Sequence, residues 1–145
     1  MKIRTKNKPL IEIKSKLNPD VILAVVYKKH RIKRRVNLSP ENHILQTSIV
    51  VINKLEPVLP HKHSLLRRET YGTFETWVIL NGKGFVRFYD IDDTIVHECR
   101  VSMGDVIVNF HVGHSLAPKT KHLTLVEVKN GPYWGVELDK ISVPN

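Results

Sequence analysis

The sequence has one cysteine, Cys99, and no long apolar run. A single cysteine cannot form a disulfide within the chain, which is compatible with a reducing compartment. The longest apolar candidate, residues 21–27, is far shorter than the roughly 20 residues of a membrane-spanning helix. No apolar core of the signal-peptide kind follows the basic N-terminus. We therefore expect a cytoplasmic protein without a transmembrane segment.

Apolar residues at helical spacing are also scarce. Short runs rich in β-branched residues recur instead, among them residues 21–27, 44–52, 77–80, 94–101 and 122–128. Turn signals separate them, and Asn81-Gly82 predicts a hairpin that joins residues 77–80 to residues 85–89. Many short strands at regular spacing are typical of an antiparallel sandwich or barrel. A chain of 145 residues is long enough for one such domain.

The positive charge is unevenly distributed along the chain. The formal net charge is +9, of which residues 1–35 carry +10 and the remainder carries −1. The densest basic cluster runs from Lys28 to Arg35. Such a cluster can attract phosphate groups of nucleic acids, nucleotide sugars or lipids, or it can be a solvated loop. No known nucleic-acid-binding motif accompanies it, so we expect no sequence-specific binding of nucleic acid.

Two histidines, His61 and His63, lie one residue apart in a stretch that can be extended. Alternate side chains of a strand point to the same face, so both imidazoles can reach one point. Glu75 follows at the start of a run of strand-forming residues. Two imidazole nitrogens and a carboxylate suit a divalent transition metal. On spacing alone, solvent-facing histidines of a loop explain the pair at least as well.

These residues resemble the two motifs of the cupin superfamily. The first motif pairs His-x-His with a downstream Glu and, after six further residues, a Gly; here it reads His61-Lys62-His63, Glu75 and Gly82. The second runs from Gly-Asp through an apolar strand to Gly and His; here it reads Gly104-Asp105 and, after the apolar strand, Gly113-His114.

The chain is similar, more specifically, to small cupin metalloproteins of the WbuC type from bacterial surface-polysaccharide gene clusters. Phe88-Tyr89-Asp90 and residues 127–133, followed by Asp139-Lys140, carry this closer likeness. It spans about residues 43–143 and covers the basic N-terminal part poorly.

The resemblance implies an all-β double-stranded β-helix, a jelly-roll-like barrel, over residues 43–145. Residues 1–42 are then a basic N-terminal extension with one or two strands packed on that core. In the family, a metal is held by three histidines and a glutamate, which carry over to His61, His63, Glu75 and His114. The resemblance implies one bound divalent ion. The order in which proteins bind the divalent metals does not by itself decide among zinc, iron, manganese and nickel.

Two departures from the family pattern leave alternative ligands open. The gap between His63 and Glu75 is longer than usual and contains Glu69, a competing carboxylate. The offset to Gly82 favours Glu75. In the second motif the usual Pro is replaced and the His falls one residue early, so that His111 is the alternative to the favoured His114.

The resemblance implies that the protein acts on or binds a sugar or nucleotide-sugar in bacterial polysaccharide biosynthesis. A metal-dependent isomerase or epimerase is expected ahead of an oxygen-using iron cupin, and a binding or sensing module without turnover is a further alternative. No general base stands out beside the ligand set, so catalytic residues and enzyme status stay open.

Five side chains are candidates for the mouth of the site, where arginine would match phosphate or carboxylate groups of a ligand: Arg67, Arg68, Tyr71, Arg87 and Arg100. An open β-sandwich must also cover its edge strands, and for this reason we expect a homodimer.

Overall fold

The computed structural model describes residues 9–144, and residues 1–8 of the basic extension and Asn145 lie outside it. Ten strands and one short helix make up the described part. They are β1 (Leu10–Lys14), β2 (Ile22–Tyr27), β3 (Val36–Asn37), β4 (Ser48–Ile49), β5 (Phe74–Asn81), β6 (Lys83–Tyr89), β7 (Ile95–Ser102), β8 (Val106–Phe110), β9 (Gly113–Pro118), β10 (Thr124–Lys129) and α1 (Val136–Asp139). The prediction of an all-β chain is confirmed at this level.

The strands form two main antiparallel sheets and a two-stranded ribbon. One sheet has the order β1-β2-β8-β5-β10, the second has the order β7-β6-β9, and β3 pairs with β4. The sheets do not close into a barrel over the described residues. Within residues 9–144, no helix has the length and apolar character that crossing a membrane requires.

The prediction of a hairpin at Asn81-Gly82 is wrong. Strand β5 pairs with β8 and β10, whereas β6 pairs with β7 and β9, so the turn takes the chain from one sheet to the other. Both edges of β5 are occupied by partners from distant parts of the sequence, which leaves none for β6. Gly82 has φ +83 and therefore supplies the left-handed conformation of this corner. The next turn, residues 90–94, does join a hairpin, that of β6 and β7.

The predicted strand at residues 44–52 is also much reduced. Only Ser48–Ile49 is a strand, and it pairs with the equally short β3. Three apolar residues of this region, Ile44, Leu45 and Ile49, pack instead as a loop layer against one face of the five-stranded sheet, where they contact the buried cluster around Phe74 and Phe110. Val50, Val51 and Ile52 are exposed.

Alternation along the strands gives the five-stranded sheet two apolar faces. Trp77 and Ile79 of β5 belong to the core between the two sheets, together with Val86 and Phe88 of β6. Phe74, on the opposite face, packs under the loop layer. Full burial of a side chain of this size stabilises the fold by roughly 1.5–3 kcal/mol relative to exposure. The five-stranded sheet is thus the middle layer of the molecule.

Strands β1 and β2 of the N-terminal part are integral to this middle layer. They pair with each other, and β2 pairs with β8 of the same chain, with Val26 opposite Ile107. Two buried carboxylates fasten the hairpin to the rest of the fold. Asp90 accepts a hydrogen bond from the backbone N–H of Lys16 (2.7 Å). Asp105 accepts one from the backbone N–H of Lys29 (2.8 Å).

Asp105 joins the segment after β2 to the turn between β7 and β8. In addition to the hydrogen bond from Lys29, its carboxylate accepts a hydrogen bond from the backbone N–H of Ser102 at 2.8 Å and forms an ion pair with the ammonium of Lys28. Only 1% of Asp105 is exposed, so water cannot replace these partners. The residue that opens the second sequence motif therefore has a structural role here.

We expect Asp105→Asn to lower the free energy of unfolding by about 2 kcal/mol, because both carboxylate oxygens accept hydrogen bonds and the amide replaces one of them with an NH2 group that can only donate. Asp20→Asn, in the exposed turn between β1 and β2, should change it by no more than about 0.5 kcal/mol. Urea unfolding of the two variants beside the wild-type chain makes the comparison, and equal midpoints for all three would contradict the role given to Asp105.

Candidate functional site

Glu75 and His114 meet between the two main sheets. Glu75 lies near the start of β5 and His114 lies in β9 of the opposite sheet, with Nε2 of His114 at 2.7 Å from Oε2 of Glu75. Only 6% of Glu75 is exposed. The His114 ring packs edge-on against Trp77, with ring centroids 4.8 Å apart. Two of the four predicted metal ligands are therefore adjacent, in the interior at one end of the sandwich.

A row of polar side chains crosses the five-stranded sheet at this end. Glu75 lies opposite Asn109 of β8 on one side and Lys129 of β10 on the other. Directly opposed residues have Cβ atoms roughly 4.5–5.5 Å apart. The Lys129 ammonium lies 3.4 Å from Glu75 Oε1 and 3.6 Å from both Glu127 Oε1 and Asp139 Oδ2. One lysine thus serves three carboxylates, one of them from α1.

The charges of this cluster follow from its contacts. Burial raises the pKa of Glu75, but the hydrogen bonds with His114 and Glu127 and the positive charges of His114 and Lys129 outweigh it and lower the pKa to about 2. The hydrogen bond with Glu75 raises the pKa of Glu127, and burial adds to that effect. Burial lowers the pKa of Lys129, but the charges of Glu75 and Glu127 raise it above its ordinary value. Glu75 is therefore a carboxylate at neutral pH.

The His114 ring is oriented by the backbone. Its Nδ1 lies 2.8 Å from the carbonyl oxygen of Val112, which can only accept, so Nδ1 donates to that oxygen. Nε2 donates in turn to the ionised carboxylate of Glu75 at 2.7 Å. His61 has the same local arrangement, with Nδ1 2.8 Å from the carbonyl oxygen of Leu59. Metal-binding histidines are typically held in this way through the nitrogen that does not bind the ion. Carboxylate oxygen and imidazole nitrogen are also donor types that divalent transition metals take, so Glu75 and His114 fit such an ion.

His61 and His63 lie elsewhere. Both are exposed, in the stretch between β4 and β5 that contributes no strand to either main sheet, and their ring centroids are 5.3 Å apart. Over residues 9–144, no group of three or more His, Cys, Asp or Glu side chains is placed to hold a metal ion. The described arrangement thus assembles half of the predicted ligand set.

The two alternative ligands are separate from the Glu75–His114 pair. Glu69 is exposed and forms an ion pair with Arg67 at 2.5 Å. His111 has φ 40 and packs against Phe74, with ring centroids 4.5 Å apart. Phe74 faces the loop layer rather than the inter-sheet core, so His111 lies on the opposite face of the sheet from Glu75.

The candidates for ligand binding at a mouth are dispersed. Arg68 and Tyr71 are exposed in the same strandless stretch as Arg67, and Arg100 is exposed on β7. Arg87 pairs with Glu98 at 2.6 Å across β6 and β7. It borders a surface pocket of about 310 Å³, whose lining is Arg87, Tyr89, Asp93, Ile95 and Pro144. None of the lining residues belongs to the polar row around Glu75.

No family model, curated protein or solved structure matches this chain. The likeness to cupins accordingly rests on the sequence motifs themselves.

Sequence reasoning missed three members of the polar row, Asn109, Glu127 and Lys129. The signal for Asn109 is its interruption of the otherwise apolar strand β8. Glu127 and Lys129 share strand parity with Leu125, which packs against the inter-sheet core. Charged residues on the apolar parity of a strand can indicate a buried polar site.

The low pKa of Glu75 predicts a specific loss of stability in acid. In the unfolded chain this carboxyl protonates near 4.5, whereas in the fold it protonates at about 2. Its stabilising contribution is thus complete above pH 4.5 and is lost as the pH falls to about 2. We expect a contribution on the order of 2 kcal/mol, which allows for screening by solvent.

Glu75→Gln should therefore be less stable than the wild-type chain at pH 7, and the two should converge toward pH 2. Denaturant unfolding at a series of pH values measures the difference. Glu69→Gln, exposed and paired only at the surface, should follow the wild-type curve. A constant offset between Glu75→Gln and wild type over the whole range would refute the assignment.

Proposed function

We propose that this protein is a cupin-type double-stranded β-helix protein that binds one divalent transition metal and, with it, binds or transforms a sugar or nucleotide-sugar of bacterial polysaccharide biosynthesis. The observation that carries the proposal is the contact of Glu75 with His114 between the facing sheets. These residues come from the two separate motifs that resemble the cupin pattern, 39 positions apart in the sequence. The antiparallel layers of the fold are compatible with a jelly roll.

In this proposal Glu75 and His114 would hold the metal from the interior, and His61 and His63 would join them from the strandless stretch. The C-terminal end of that stretch is fixed beside the polar row, because the Asn130 amide donates to the carbonyl oxygen of Gly72 at 3.0 Å. His63 lies nine positions before Gly72, and an extended chain of that length spans about 30 Å. The reach of the stretch is therefore sufficient.

The chemistry that a bound divalent metal supplies is Lewis acidity toward a carbonyl or hydroxyl oxygen of the sugar. The residues of the chain have two tasks around it. Glu75 provides an ionised carboxylate at neutral pH, and Lys129 keeps the neighbouring carboxylates of Glu127 and Asp139 together. His114 would bind the ion through Nε2 after that nitrogen releases its proton, because Nδ1 is held by the Val112 carbonyl.

A binding module without turnover is the second candidate. It is favoured by the mutual pairing of the ionisable groups in the cluster, in which Glu75 contacts both His114 and Lys129. A general acid or base must exchange protons during a reaction, and groups engaged in ion pairs are better suited to hold a ligand. Turnover of a nucleotide-sugar by metal-loaded protein would separate the two candidates.

Metal analysis of purified variants tests the ligand set. Each of His61→Ala, His63→Ala, Glu75→Ala and His114→Ala should reduce the bound metal by about tenfold or more, since the loss of one ligand leaves the coordination incomplete. Glu69→Ala and His111→Ala are the matched controls and should keep the wild-type metal content. Equilibrium dialysis against the divalent ion, followed by elemental analysis, gives the measurement.

Two outcomes of that experiment contradict the proposal. Loss of metal in Glu69→Ala and His111→Ala, with retention in Glu75→Ala and His114→Ala, would reassign the ligands. Wild-type metal content in all six variants would show that none of these residues binds the metal and would refute the proposed site.

We also propose that the chain forms a homodimer. Strands β1 and β10 are the edges of the five-stranded sheet, and β10 exposes Val126 and Val128. Open edges with apolar side chains are templates for pairing with a second chain. Light scattering should give twice the chain mass, and Val128→Lys should shift the mass toward the monomer, whereas Leu17→Lys in the exposed β1–β2 turn should not. A monomeric mass for the wild-type chain at micromolar concentration would count against the dimer.

A further inference from the structure

The surface pocket beside Arg87 lies on the outer face of the three-stranded sheet, away from the candidate metal site. Alternate side chains of a strand point to opposite faces. Phe88 belongs to the core between the sheets, so its neighbours in β6, Arg87 and Tyr89, face outward. In β9, His114 faces the core, and Ser115, which is paired with Arg87, faces outward. The pocket and the metal site are therefore separated by the sheet itself.

Three segments of the chain enclose the pocket. Strand β6 forms its floor, the β6–β7 turn forms one side, and the C-terminal tail forms the other side with Pro144. The tail is seated at Gly113, where a Cβ atom would lie 3.0 Å from Cγ2 of Val143 and 3.2 Å from Cβ of Tyr89. The volume of about 310 Å³ is at the lower end of the range of about 300–1,000 Å³ for small-molecule sites. The pocket is therefore open to solvent and suits a small ligand.

Arg87 supplies a positive charge to the pocket. Its Nε donates to Oε1 of Glu98 at 2.6 Å. A hydrogen bond with Glu98 raises the pKa of Arg87, and one with the Tyr89 hydroxyl adds to this effect. A guanidinium has five N–H groups in a fixed plane, so these two contacts orient the group and leave donors for a ligand. Two parallel N–H groups of an arginine match the two oxygens of a carboxylate.

Asp93 supplies a negative charge on the side formed by the turn. The other two carboxylates of this turn, Asp90 and Asp92, accept hydrogen bonds from backbone N–H groups. Asp93 is exposed, and in the described part of the chain no ion pair includes it. It has φ 64, a left-handed conformation that aspartate and asparagine adopt more readily than most other residues.

These opposite charges limit which ligands the pocket accepts. A simple anion would be attracted by Arg87 but repelled by Asp93 and Glu98, and a simple cation would be repelled by Arg87. A molecule that carries both a carboxylate and an ammonium group matches both sides. Ile95 and Pro144 add apolar surface to the lining, which suits a short aliphatic side chain.

We propose that the outer pocket binds a small zwitterion of the α-amino acid class, with its carboxylate on Arg87 and its ammonium group on Asp93. This site requires neither the metal nor the sugar of the proposed function.

The first test is a titration of the full chain, labelled with nitrogen-15, in the presence of EDTA. Glycine, alanine, serine and valine are the zwitterionic probes, propionate carries only the carboxylate, and ethylamine carries only the ammonium group. The backbone amide resonances of residues 87–95 report binding. We expect at least one amino acid to bind about tenfold or more tightly than propionate and ethylamine. Absence of a shift with all four amino acids, or equal affinity for propionate or ethylamine, would overturn the proposal.

The second test removes each charge in turn. Arg87→Gln and Asp93→Asn should each weaken amino-acid binding by about tenfold or more, and asparagine tolerates the left-handed conformation at position 93. Asp93→Asn should not weaken the binding of propionate, because it removes a repulsive charge. Arg100→Gln and Asp20→Asn are the matched controls, since they remove exposed charges outside the pocket. Wild-type affinity in Arg87→Gln and Asp93→Asn, or an equal loss in the controls, would contradict the site.

The failure of this inference is distinguishable from the failure of the proposed function. The titration is done without free metal, so amino-acid binding supports the pocket even if the metal analysis fails. Conversely, a metal content that depends on Glu75 and His114, together with no response of residues 87–95 to any amino acid, overturns the pocket and leaves the metal site standing.

Discussion

The charge of Glu75 has to be compensated inside the sandwich, and much of the architecture at that end meets this requirement. Taking a carboxylate out of water costs several kcal/mol unless partners replace the lost hydration. Those partners come from different elements: His114 from β9 in the opposite sheet and Lys129 from the neighbouring strand β10. Lys129 in turn contacts Asp139 of α1. One buried charge thus fixes the relative positions of both sheets and the C-terminal helix.

The parts of the fold that follow from local pattern could be predicted from the sequence. The continuous apolar, β-branched run at residues 21–27 corresponds to β2, and the turn at residues 90–94 joins β6 and β7. The hairpin at Asn81-Gly82 could not be excluded in the same way. Its local signal is strong, but strand β5 takes its partners β8 and β10 from far along the chain. The residues of the turn carry no information about which distant strands pair with β5.

The residues of the candidate site could likewise be predicted only in part. The motif offsets singled out Glu75 and His114, which the structure brings into contact. They did not reveal Lys129 or Asn109, because their closeness to Glu75 depends on the register of β5 with its two neighbours. Register is a property of strand pairs, and a single strand's pattern gives only which face a residue occupies. The alternative ligand His111 is an example. It packs against Phe74, which is next to Glu75 in the sequence but faces the opposite layer, so His111 lies away from Glu75.

The order of strands in the middle layer has a consequence for synthesis of the chain. Strand β2 is made early, yet its partner β8 follows about 80 residues later, with Ala24 opposite Asn109. The nascent β1–β2 hairpin therefore leaves the ribosome with one long apolar edge that no other emerging strand can cover. Such non-local pairing slows folding and exposes unpaired edges to other chains. The basic residues that follow this hairpin, from Lys28 to Arg35, are of the kind that discourages pairing between exposed strand edges.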